Sequence, residues 1–153
     1  MAQFSFDGVD GLAAGFEKMA NLSDQDRMDI IMTAAKLLAE RQKQKILDLF
    51  TQWSGALANS ITIEEKSDED GVYAHIYLKG KHPGSGTGKR KRKNGRSNGK
   101  YSGTNAEIGY ILEYGSPRIA ARHWMENANE EAEAEIVEAM QAAFNDILQT
   151  KGL

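Results

Sequence analysis

The stretch Ser60-Ile61-Thr62-Ile63-Glu64-Glu65-Lys66-Ser67-Asp68-Glu69-Asp70-Gly71-Val72-Tyr73-Ala74-His75-Ile76-Tyr77-Leu78 decides the fold class. Apolar residues alternate on both sides of a polar centre, the two-residue period of half-buried strands. Ile61 and Ile63 share one side of the first run, with Thr62 and Glu64 on the other. In the second run Val72, Ala74, Ile76 and Leu78 point inward and Tyr73, His75 and Tyr77 outward. The Asp70-Gly71 step supplies the positive φ a hairpin loop needs. The pattern predicts strands Ser60–Lys66 and Val72–Leu78 joined by a turn over Ser67–Gly71.

Both flanks of this hairpin read as long helices. Ser23 with Asp26 resembles a capping box, and Asp24 and Asp26 suit the positive end of a helix dipole. Met28, Ile31, Ala35, Leu38, Leu49 and Trp53 keep one face apolar, with Gln42 and Lys45 interrupting it. The expected helix runs from Ser23 to Trp53 and stops at Gly55. At ~45 Å it is longer than its own core needs, which implies packing on something else, such as a second copy. The last element is expected over His123–Gln149. There Trp124, Ala128, Ala132, Ile136, Met140, Phe144 and Ile147 recur every three or four residues, and glutamates fill the other faces.

Shorter elements complete the picture. Phe4–Val9 fits a short strand, and Leu12, Phe16 and Met19 fall at helical spacing. Ile108, Ile111 and Leu112 fit a helical turn, although Ile108–Tyr114 also fits a strand; a short helix is the expectation. Gly115-Ser116-Pro117 reads as a turn and Arg118–Arg122 as extended. The fold class is therefore α+β: two long helices packed on a small antiparallel β-sheet, within one domain spanning 1–153.

Composition excludes several function classes. No apolar run approaches the ~20 residues of a transmembrane helix. The N-terminus lacks a basic region followed by an apolar one, so it does not read as a signal peptide, and the Asn21-Leu22-Ser23 triplet reads as chance. The chain has no cysteine, which removes disulfides, thiol catalysis and zinc–thiolate sites. It reads as soluble and made in a cytoplasm.

The net charge of −3 hides a split. Residues 79–101 hold nine of the 19 Lys and Arg and none of the 22 Asp and Glu. The rest of the chain therefore carries ten basic residues against 22 acidic ones, a net of −12. Residues 80–104 read as a long Gly-rich loop inserted after the second strand, too polar to join a core. Lys89, Arg90, Lys91, Arg92 and Lys93 are consecutive, followed by Arg96 and Lys100. These seven are the candidate contact residues. They suit phosphates, with affinity that falls as salt rises, or an acidic protein surface; they also fit a nuclear localisation signal or solvated filler. No aromatic residue interleaves the run, so any nucleic-acid contact is expected to be independent of sequence.

No catalytic or metal constellation stands out. His75 reads as an outward strand residue, His82 as part of the loop, and His123 as the start of the last helix. No His pair has helical zinc spacing. Gly84–Arg90 fails as a phosphate-binding loop at both ends, because Pro83 occupies the first glycine position and Arg90 follows Lys89. Glu64 and Glu65 alone do not make a nuclease site. The glutamates of the last helix read as a solvated face. No catalytic residue, metal site or cofactor is expected.

Three stretches together resemble the head–tail joining and tail-completion proteins of tailed bacteriophages, the minor tail or neck proteins. The first is Phe6-Asp7-Gly8-Val9-Asp10-Gly11-Leu12, similar to a strand–glycine–helix opening. The second is Ser54-Gly55-Ala56-Leu57-Ala58-Asn59-Ser60-Ile61, similar to the step from the long helix to the first strand. The third is Tyr110-Ile111-Leu112-Glu113-Tyr114-Gly115-Ser116 followed by Ala120-Ala121-Arg122-His123-Trp124-Met125-Glu126-Asn127-Ala128. Tyr114 and Ser116 stand where the family usually has Phe and Thr, and His123 and Asn127 where it usually has Pro. The basic insertion is also longer than the family's.

The resemblance implies a structural, non-catalytic virion protein. Members assemble as rings, commonly six-fold, where the tail tube meets the head connector. Implied partners are copies of the chain, tail-tube and connector proteins, and genomic DNA in the channel, with no membrane and no small-molecule substrate. The resemblance marks Gly55, Leu57, Tyr110, Glu113, Gly115, Arg122 and Trp124 as its structural signature. Glu113 is expected to accept backbone N–H groups or to pair with Arg118 or Arg122. The runner-up is a DNA-binding or packaging-associated protein acting through residues 79–101.

Overall fold

A computed structural model describes residues 17–18, 20–50, 54–82 and 103–152. The expected opening strand, the residues Leu12, Phe16 and Met19, and the seven candidate cations lie outside them. The element order is α1 (Asp24–Leu49), α2 (Ser54–Asn59), β1 (Ile61–Asp68), β2 (Gly71–Leu78), α3 (Asn105–Tyr114) and α4 (Trp124–Lys151). The architecture is α+β, as the alternating and helical periods predict. No helix among the described residues is long and apolar enough to cross a membrane.

The capping box starts α1 as expected. The Asp26 amide donates to Ser23 Oγ, and the Ser23 amide donates to Asp26 Oδ2 at 2.8 Å. Its end is a correction. The helix stops at Leu49, and Phe50 turns extended (φ −126°, ψ 128°) while its amide still donates to the Ile46 carbonyl. Gly55 does not stop α1; it sits inside α2, with open space around it. The early exit lets the chain double back and bury Leu57 and Ala58 beside Ile46. Leu49 and Phe50 pack against that cluster, so their apolar character reflects a core contact beyond the helix and not its continuation.

The hairpin pairs Ile61 with Leu78 through to Asp68 with Gly71, which leaves Glu69-Asp70 as a two-residue turn. Gly71 carries the positive φ (+135°), and the Asp70 amide donates to Asp68 Oδ1. Cross-strand neighbours Ile61–Leu78 and Ile63–Ile76 form the inward face; Tyr73 and His75 are exposed, and His75 stacks on Tyr77. That face rests mainly on α1, whose largest contact is with α4.

Helices α1 and α4 run antiparallel, as their contacts show: Asp26 meets Lys151, Arg41 meets Glu135 and Lys45 meets Glu131. Two apolar clusters lie along the pair. One gathers Ala39, Ile46, Leu57, Ala58, Ile61, Leu78 and Trp124. The other gathers, among the described residues, buried Leu22, Ile30 and Leu148, with Met140, Ala143, Phe144 and Ile147 partly covered. On the α1–α4 seam lies buried Gln42, whose Nε2 donates to Asn129 Oδ1 at 3.0 Å. This accounts for the two interruptions of the α1 stripe: Gln42 and Lys45 are partners of α4. Glu131 and Glu135 remain exposed, as the solvated reading expects, and pair with Lys45 and Arg41 of α1.

Candidate functional site

Of the residues singled out by the sequence, Tyr110, Glu113, Gly115, Arg122 and Trp124 lie where α3 meets the start of α4. Helix α3 begins with a second capping box: the Glu107 amide donates to Thr104 Oγ1 at 3.1 Å, and the Thr104 amide to Glu107 Oε2 at 2.8 Å. Asn105, in its first turn, is buried. Its backbone amide donates to the Gly80 carbonyl and its Nδ2 to the Lys79 carbonyl at 2.7 Å. Lys81 and Thr104 form a β-bridge, and the His82 amide donates to the Gly103 carbonyl. The two ends of the basic segment are thus stitched together. His82 is only 7% exposed, which corrects its placement in the solvated loop: it belongs to the stitch and is drawn inward with it.

Farther along α3, Gly109 allows a close approach. A Cβ there would lie 2.1 Å from Leu78 Cδ1. The same glycine's carbonyl accepts the indole N–H of Trp124 at 3.0 Å, so the largest fully buried side chain has its polar atom satisfied. Trp124 is 1% exposed and Leu57 2%.

Glu113 is the centre of the junction. The chain leaves α3 through Gly115, whose φ is +81° and whose hypothetical Cβ would meet Ala121 N at 2.8 Å. A tight turn follows, with Ser116 and Ile119 exchanging backbone hydrogen bonds across Pro117-Arg118. Arg118 therefore lies in the turn and not in an extended run, as had been expected; proline at the second turn position favours this placement. Arg122 contributes its backbone amide, which donates to the Leu112 carbonyl, while its side chain is exposed.

His123, the N-cap of α4, adopts left-handed geometry (φ 48°, ψ 41°) and makes no side-chain cap. Glu113, reaching across from α3, supplies it. Its Oε2 accepts the Met125 amide at 2.7 Å and its Oε1 the Glu126 amide at 3.1 Å. The carboxylate is 4% exposed. Of the two expected roles, accepting backbone N–H groups is the one observed; neither Arg118 nor Arg122 forms an ion pair with it among the described residues. A buried negative charge at a helix N-terminus is matched by the dipole and by the two otherwise orphaned amides.

Glu113, His123 and Glu126 bring three potential ligand atoms within 4.8 Å of one another, a cluster that linear spacing does not reveal. His123 Nδ1 lies 3.1 Å from Glu126 Oε2. Both Glu113 oxygens already accept amides, and the positive end of α4 opposes a cation, so the chemistry of the cluster favours capping. On the outer side, Tyr110 and Tyr114 are each 64% exposed and their rings meet at 4.7 Å. Ile119 and Met125 are exposed nearby in the chain.

The structure therefore buries Leu57, Glu113 and Trp124, leaves Gly115 half-buried at the exit of α3 and Tyr110 and Arg122 at the surface, and places Gly55 within α2 and not at the end of α1. Sequence reasoning missed Asn105 and Gly109. A glycine in mid-helix was the available signal for the second. No family model, curated protein or solved structure matches the chain.

Proposed function

We propose that the chain is a structural virion protein of the tailed-phage neck. In this reading it completes the tail end and joins the tail tube to the head connector as a homo-oligomeric ring. One observation carries the reading. The stretch that bears the family resemblance uses its polar residues to lock α3 onto α4, with Glu113 committed to two amides, and presents Tyr110 and Tyr114 outward. Exposed paired tyrosines suit a protein contact, because their rings bury much area while the hydroxyls stay satisfied.

The test is assembly on the particle. Electron microscopy of purified tail ends incubated with the chain should reveal rings, and Tyr110→Glu with Tyr114→Glu should abolish them while circular dichroism stays unchanged. Tails that join heads equally well without the chain would overturn the proposal.

A second reading is favoured by the closed base of the basic segment, since both ends leave one point of the fold. On that reading the seven cations from Lys89 to Lys100 bind duplex DNA without sequence preference. Converting all seven to glutamine should then abolish DNA retardation and flatten its salt dependence. Joining that survives the same change assigns the neck role elsewhere in the chain.

A further inference from the structure

We propose that one copy of the chain docks on the next by seating its Ser116–Ile119 turn in a groove along the first half of α4, with Ile119 on the apolar floor and Arg118 and Arg122 on the carboxylates of Glu130 and Glu133. The contact rests on the ring reading and names the two surfaces that make it. The groove consists of two adjoining cavities. One, of about 550 Å³, lies against Tyr114 and Met125. The other, of about 380 Å³, lies against Leu38, Ile136 and Val137. Asn129 and Glu130 line both. Glu130, Glu133 and Val137 succeed one another at three- and four-residue spacing, so they share one face of α4.

Charge selects the occupant. Elsewhere on α4, Glu131 and Glu135 are matched by Lys45 and Arg41 of the same chain. Glu130 and Glu133 are exposed and form no ion pair among the described residues. Glu130 also follows Glu126 by four positions, a like-charge spacing that weakens an isolated helix. A cationic occupant relieves that repulsion.

The chain itself offers one. Arg118 and Arg122 are exposed, and neither forms an ion pair among the described residues. Between them Ile119 is 45% exposed, and Val137 in the groove is 59% exposed. The turn thus presents an apolar residue bracketed by two cations, and the groove an apolar floor beside two carboxylates. Backbone bonds between Ser116 and Ile119 hold the turn, and packed helices hold the groove. Little freedom is then lost on docking. Because turn and groove are different patches, the contact is head-to-tail, the kind that closes rings when the rotation fits.

Charge reversal tests it. In the full chain, Arg118→Glu with Arg122→Glu spoils the turn, and Glu130→Arg with Glu133→Arg spoils the groove. Sedimentation of the parent should show species heavier than the monomer, which dissociate as salt rises. Either variant alone should associate about a hundredfold more weakly, since like charges then meet. An equimolar mixture of the two should regain the parent's species, because each variant's turn faces a groove of opposite charge on the other. A parent that stays monomeric, association insensitive to salt, or a mixture that associates no better than its components would overturn the contact. So would rings on tail ends formed by either variant alone, an outcome that leaves the ring reading standing.

Discussion

The two ends of the α1–α4 pair are built differently. At the Trp124 end, α2, both strands and α3 converge on the helices, and the two largest fully buried side chains, Trp124 and Ile46, lie there. Polar atoms at that end are tied down: the indole by Gly109, the first amides of α4 by Glu113. At the Leu22 end, among the described residues, Leu22, Ile30 and Leu148 are buried together, and an ion pair between Asp26 and Lys151 closes the helix ends. The lesson is that packing density and hydrogen-bond closure travel together. Both are concentrated where α3 meets the start of α4.

The contrast makes graded predictions. Trp124→Ala should cost the most, about 3–5 kcal/mol, read as a shift in the urea midpoint at unchanged slope. Glu113→Gln should come next, at about 1.5–3 kcal/mol. An amide has one carbonyl oxygen and turns its NH2 toward an N–H, leaving one buried donor unpaired. If this variant melts like the parent, the cross-helix cap is not what holds α4. Leu148→Ala should cost about 2 kcal/mol, the lower end for such truncations, because its partly covered neighbours can relax. A cost equal to that of Trp124→Ala would erase the contrast.

The smallest effect should be pH-dependent. The Lys151 ammonium, followed by the Ser23 hydroxyl, holds the Asp26 carboxyl at about 2, below its ordinary 3.8. The folded state thus keeps Asp26 ionised where the unfolded chain would protonate it. The resulting stabilisation is complete above about pH 4 and fades as pH falls toward 2. Lys151→Met should therefore be slightly less stable than the parent at pH 6 and indistinguishable from it near pH 2. A gap that widens on acidification would reverse the assignment.

Local signals were legible and tertiary ones were not. Ser23-x-x-Asp26 announced the start of α1 because a cap is satisfied within four residues. The hairpin was legible because its period and its Asp-Gly step are local too. The end of α1 was misread because Leu49 and Trp53 continue an apolar stripe, whereas Phe50 leaves the helix to meet a core that includes Trp124. Gln42 was visible as an interruption, but its partner Asn129 is 87 positions away. Glu113 was recognisable as an acceptor, while which donors it meets depends on how Gly115 and the Pro117-Arg118 turn bring the chain back. His82 read as solvated from its polar neighbours and is buried because its strand stem pairs with Gly103.

The stitched stem has an evolutionary consequence. With Lys81 bridged to Thr104 and Asn105 bonded to Lys79 and Gly80, the 20 positions from 83 to 102 begin and end at a base already closed by its own hydrogen bonds. Closure entropy grows only with the logarithm of loop length, so doubling such an insertion costs about 0.6 kcal/mol. A change of length there leaves the contacts of Glu113 and Trp124 untouched, because both lie beyond the closed base. The fold thus separates a variable insertion from a fixed scaffold at a single closed base.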